Sequence, residues 1–98
     1  MSFNLWWAEN DGMSGHVWLS VGDLLTLGEE MEAQGITAIP AAKLAPRERE
    51  LITADEIEEA LAAASDEPRT LQDAKLWRDW LAFLDGGRSR GGIVVRSS

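Results

Sequence analysis

The chain has 98 residues, a net charge of −8, a pI near 4.5, five tryptophans and no cysteine. Without cysteine there are no disulfides, thiolate nucleophiles or cysteine metal sites. The acidity disfavours attraction to nucleic acid or an anionic membrane and favours a basic protein partner. No apolar run is long enough for a transmembrane helix, and the first residues, MSFNLWWAEND, lack the basic start and long apolar stretch of a signal peptide. One domain over residues 1–98, located in the cytoplasm, is the expectation.

Phe3 to Ala8 has strand propensity, with Phe3, Leu5 and Trp7 on one face and Asn4, Trp6 and Ala8 on the other. Residues 9–15 are dense in turn formers. His16 to Leu19 reads as a second strand, completing a hairpin whose loop is too long for the tight two-residue type.

Ser20, with Asp23 three positions on, caps a first helix. Val21, Leu24, Leu25, Leu27, Gly28 and Met31 form its stripe, and Gly35 fits the position just past its end. Gly28 in that stripe costs about 1 kcal/mol against Ala. Close approach by a Trp ring is the expected reason.

Ile36–Ile39 is expected as a short strand ended by Pro40, and Arg47–Glu50 as a helical turn or a loop. Thr53 with Glu56 is the clearest capping box. The helix behind it runs to about Ser65 on a narrow stripe of Ile57, Ala60, Leu61 and Ala64. Thr70 and Asp73 start a central helix to Asp85 whose apolar arc includes Trp77, Trp80 and Leu84. Gly86-Gly87 is expected to end it, Arg88–Gly92 to be a flexible connector, and Ile93–Val95 to be a strand pairing with the hairpin. The predicted fold is α+β: a three-stranded antiparallel sheet covered by about three helices, with all five indoles near one dry interior.

Candidate chemistry is sparse. His16 is the only histidine and reads as an edge-strand residue; a zinc site needs several His or Cys ligands. Glu9, Asn10, Asp11 and Gly12 lack the spacing of a calcium loop. No phosphate loop, nucleophile elbow or Ser/His/Asp set is present, so neither a cofactor nor a metal is expected. Two acidic clusters remain, Glu29-Glu30-Glu32 and Asp55-Glu56-Glu58-Glu59. The helical projection turns nearly all of them outward, with Glu32 at the edge of a stripe. All acids lie at or before Asp85, leaving Arg88, Arg90 and Arg96 in an acid-free tail.

The function expected is a non-catalytic protein-interaction module, of inhibitor, immunity or adaptor type, docking Glu29, Glu30, Asp55, Glu58 and Glu59 on a basic partner. The alternative is a small-ligand binder or minor enzyme with a pocket near His16 and Trp18. Nucleic-acid binding through the arginine tail ranks third and is not expected. Strands apolar on both faces leave one face to be covered by a helix or by a second copy, so a homodimer through the sheet is compatible with the pattern.

Overall fold

A computed structural model describes residues 2–9, 15–44 and 47–97. In chain order the elements are β1 (Ser2–Trp7), β2 (His16–Ser20), α1 (Val21–Ala33), α2 (Ala41–Leu44), β3 (Arg49–Ile52), α3 (Ala54–Ala63), α4 (Ala74–Arg88) and β4 (Ile93–Ser97). The fold is α+β. Its sheet is antiparallel with four strands in the order β2-β1-β4-β3.

The hairpin and the pairing of the C-terminal strand with it are as the sequence predicts. β1 takes β2 on one side, with Leu5 opposite Val17, and β4 on the other, with Leu5 opposite Val95. Asn10, Asp11 and Gly12, read as part of the hairpin turn and lacking a calcium loop's spacing, lie outside the described residues. The three-strand expectation is corrected by β3, which pairs with β4 and places Ile52 opposite Ile93. Of its residues Arg-Glu-Leu-Ile only Ile52 is buried, so the strand carries almost no alternation signal. The Ile36–Ile39 segment forms no strand; both isoleucines are buried in an irregular stretch against α1.

Local signals account for the helix ends. The Ser20 hydroxyl accepts the Asp23 N–H at 3.1 Å. Thr53 and Glu56 complete a reciprocal capping box at 3.2 and 2.9 Å. Gly35 takes φ 76°, with Ile36 N–H donating to Met31 O at 2.9 Å and Gly35 N–H to Glu32 O at 3.0 Å. That bond pair is the Schellman motif, which needs a residue free to adopt the left-handed region. α4 differs from expectation at both ends. Asp73, not Thr70, is its N-cap, accepting from Leu76 N–H at 3.0 Å, and the helix runs through Gly86 and Gly87 to Arg88.

Those glycines serve packing. A Cβ on Gly86 would overlap the Trp7 indole, and one on Gly87 would meet Ile93 Cδ1 at 2.8 Å. The close approach of a Trp ring to a helix glycine, expected at Gly28, occurs here instead. Trp7 Nε1–H then donates to Phe83 O at 2.9 Å. The connector behind α4 is tied down as well: Gly92 N–H reaches Gly87 O at 2.9 Å, and Ala8 N–H reaches Gly92 O at 2.9 Å.

The helices cover one face of the sheet. Phe3, Leu5, Leu19, Ile52, Ile93 and Val95 meet Leu24, Leu27, Met31, Ile57, Trp77, Trp80 and Leu84 in one cluster, with Trp7 packed against it. Each large side chain so buried contributes about 1.5–3 kcal/mol. The shared interior therefore holds for Trp7, Trp77 and Trp80 but is corrected for Trp6 and Trp18. Both lie on the opposite, uncovered face with Asn4, Val94 and Arg96, as the pairing register dictates. Trp18 is 58% exposed, and Arg49 stacks over Trp6 with its guanidinium carbon 5.8 Å from the ring centroid. Among the described residues no helix is long and apolar enough to cross a membrane.

Candidate functional site

The main candidate is an apolar groove of about 560 Å³ along one side of α1. α1 turns Leu24, Leu27 and Met31 into the core, which leaves Leu25, Gly28, Glu29 and Glu32 on its flank. The Schellman turn at Gly35 reverses the chain, and Ile36, Thr37, Ile39, Pro40 and Leu44 form the opposite wall. Phe3 and Val21 close one end.

Two features separate this groove from an ordinary packing defect. Leu25 at its lip is 58% exposed. Gly28 lines it, yet the nearest atom to a Cβ there is Leu44 Cδ1 at 3.6 Å, an ordinary contact. No neighbour forces glycine at that position, and its missing side chain keeps the groove open. Glu29 and Glu32 stand on the same lip, both exposed and outside every ion pair among the described residues. They sit in the C-terminal part of α1, whose last turn has no basic residue. There the helix dipole adds to their negative potential.

Of the predicted docking residues, Glu29 is at this groove. Asp55, Glu58 and Glu59 are exposed on α3, which contributes no residue to it. Glu30 is corrected: it is fully buried, whereas Glu32, placed near the stripe by the projection, is exposed. Glu30 Oε1 accepts from Thr70 N–H at 2.6 Å, Leu71 N–H at 2.7 Å and the Thr70 hydroxyl at 3.0 Å. Oε2 accepts from Arg69 N–H at 2.7 Å and the Gln34 amide at 2.8 Å. Burial alone would push its pKa up, but these donors outweigh it and hold the carboxyl down at about 2. With every lone pair engaged, Glu30 is a structural tie between α1 and the segment ahead of α4.

Glu56 is likewise committed. Burial favours its neutral form, but Lys43 Nζ at 2.6 Å and its own capping bonds hold its pKa below the usual carboxylate range. His16 is exposed, with Nε2 3.2 Å from Asn4 Oδ1. Neither the groove nor a second, shallower cavity of about 640 Å³ between α3 and α4 includes His16 or Trp18. The three tail arginines do not converge. Arg88 pairs with Asp85 at 2.6 Å, Arg90 lies over Trp7 at 5.6 Å, and Arg96 sits in β4. Among the described residues no three His, Asp or Glu side chains gather as a metal site.

Sequence reasoning did not locate this groove: it set the pocket near His16 and Trp18 and read Leu25 and Gly28 as part of the packed α1 stripe, whereas Leu25 is exposed and both line the groove. The opposite wall, Ile36–Leu44, gave no signal because it has no period. The chain matches no protein family, no curated protein and no solved structure.

Proposed function

We propose that the protein is a non-catalytic interaction module whose α1 groove receives a basic amphipathic helix from a partner protein. The observation that carries this reading is the pairing of an open apolar groove with the carboxylates of Glu29 and Glu32 on its lip, which form no ion pair among the described residues. The groove follows α1 from Val21 to Glu32, about 16 Å at 1.5 Å per residue. That length accommodates apolar anchors at i, i+3, i+4 and i+7 of a guest helix. A Lys or Arg on the guest meets Glu29 and Glu32 and relieves the acidic C-terminal end of α1. The net charge of −8 steers such a partner in.

The test uses a synthetic peptide with leucines at helical spacing and lysines elsewhere, beside a scrambled peptide of the same composition. The patterned peptide is expected to shift backbone NMR signals of Leu25, Gly28, Ile36 and Leu44, and to bind at least tenfold more tightly than the scrambled one. Gly28→Trp, which fills the groove, abolishes the difference. Equal binding of both peptides, or shifts confined to α3, defeats the proposal. The groove volume also falls within the range typical of small-molecule clefts. Saturation by an apolar fluorescent dye, with no effect of the patterned peptide, would favour a small-ligand function.

A further inference from the structure

We infer that β2 is a self-pairing edge, through which two copies of the chain join their sheets about a two-fold axis at Trp18. The two outer strands differ in how they are protected. β3 carries Arg49 and Glu50, and Lys43 Nζ caps its Leu51 carbonyl at 2.9 Å. Charges and covering contacts of that kind keep edge strands from pairing with other chains. β2, His-Val-Trp-Leu-Ser, has no Lys, Arg, Asp, Glu or Pro. Among the described residues, none outside β1 and α1 bonds to its backbone.

The hydrogen-bond phase fixes which groups are on offer. Trp7 N–H donates to Gly15 O at 2.8 Å. Antiparallel ladders alternate, so with Leu5 opposite Val17 and Phe3 opposite Leu19, Val17 and Leu19 bond inward to β1. His16, Trp18 and Ser20 therefore turn their N–H groups away from the sheet. These three positions are symmetric about Trp18. In an antiparallel pairing of two β2 strands, Trp18 faces Trp18 of the second copy and exchanges both main-chain bonds with it. Ser20 N–H meets the His16 carbonyl at each end, while the Ser20 carbonyl stays with the first turn of α1 as its N-cap.

Side chains agree with that register. Trp18 is the most exposed large apolar residue on the uncovered face, and the pairing sets the two indoles side by side there. Aromatic cross-strand pairs of this kind stabilise sheets. β2 itself brings no like charges into the contact. A foreign strand would obtain the same main-chain bonds but not the matched indoles, which is why a second copy is the occupant chosen.

The experiment is sedimentation equilibrium of the full chain over a wide concentration range, with amide hydrogen exchange at both extremes. A monomer–dimer equilibrium is expected, with Trp18 N–H exchanging at least tenfold more slowly in the dimer. Trp18→Lys, which sets two ammonium groups opposite each other at an exposed position, is expected to weaken the dimer at least tenfold with an unchanged far-ultraviolet CD spectrum. A monomer at every concentration overturns the inference. So does a dimer whose Trp18 amide exchanges as in the monomer, or one that a folded Trp18→Lys variant forms as readily. Should that variant fail to fold, exchange in the native chain decides alone.

Discussion

The Trp7 indole rests on the backbone of α4 at Gly86, so closely that no Cβ fits between them. It also donates its N–H to Phe83 O and stacks on the Phe83 ring at 5.7 Å. One strand is thereby docked on one helix through a glycine. Gly86→Ala forces the indole out and is expected to destabilise the protein by about 2–4 kcal/mol, within the range of overpacked cores and lost buried hydrogen bonds. Gly28→Ala, free of any clash, is expected to stabilise by up to about 1 kcal/mol through helix propensity. Thermal melting of the two variants should move in opposite directions.

Glu30 makes stability sensitive to acid. Its folded-state pKa, about 2, lies below the unfolded value of 4.5. A group shifted downward contributes stability above its unfolded pKa and loses that contribution as pH falls toward the folded one. The loss should run from about pH 5 to pH 2, and the shift corresponds to roughly 3 kcal/mol. Glu56 is shifted the same way and loses its contribution in the same direction. Glu30→Gln faces an amide NH₂ toward N–H donors and should cost about 3 kcal/mol at pH 7. Urea titrations at several pH values check both statements: the slope against pH seen in the native chain below pH 5 should be much reduced in the variant.

Trp77 and Trp80 lie on the same buried face of α4 but differ in one bond. Trp77 Nε1–H donates to Ser65 O at 2.7 Å, whereas Trp80 Nε1 is buried with no partner among the described residues. Phe in place of either removes similar volume. Trp77→Phe also strands the Ser65 acceptor, while Trp80→Phe removes an unsatisfied donor. Trp77→Phe should be the more destabilising by about 1–3 kcal/mol, measured as a difference in chemical denaturation.

Salt should act on the two proposed contacts with opposite signs. A basic helix at Glu29 and Glu32 is held partly by charge, and about 0.5 M salt screens exposed charges strongly. Its affinity should fall. Joining two chains of net charge −8 at an uncharged edge works against long-range repulsion, so dimerisation should strengthen over the same range. Calorimetry for the peptide and sedimentation for the dimer read the two trends independently.

What the sequence reveals divides along the distance between partners. Ser20 with Asp23, Thr53 with Glu56, and Gly35 act within a few residues, and each helix end they mark is where they place it. β3 is invisible locally because its register is set by Ile93 and Val94, more than 40 residues on. Glu30 is misjudged for the same reason. Its donors at 69–71 are about 40 residues away, and a helical wheel shows only that the position borders Leu27. Gly86-Gly87 looked like a stop signal because two glycines usually end a helix; the Trp7 ring that needs Gly86 enters from β1, and the Ile93 side chain that needs Gly87 from β4. Residues 36–44 have no regular period and wall the groove by following the turn at Gly35.

The Glu30 tie also bears on synthesis. Its five donors come from Gln34 and from residues 69–71, so a nascent chain halted before Arg69 offers the carboxylate only the Gln34 amide, and burying it there costs far more than in the finished fold. This tie between α1 and the segment ahead of α4 can therefore close only after residues 69–71 have left the ribosome.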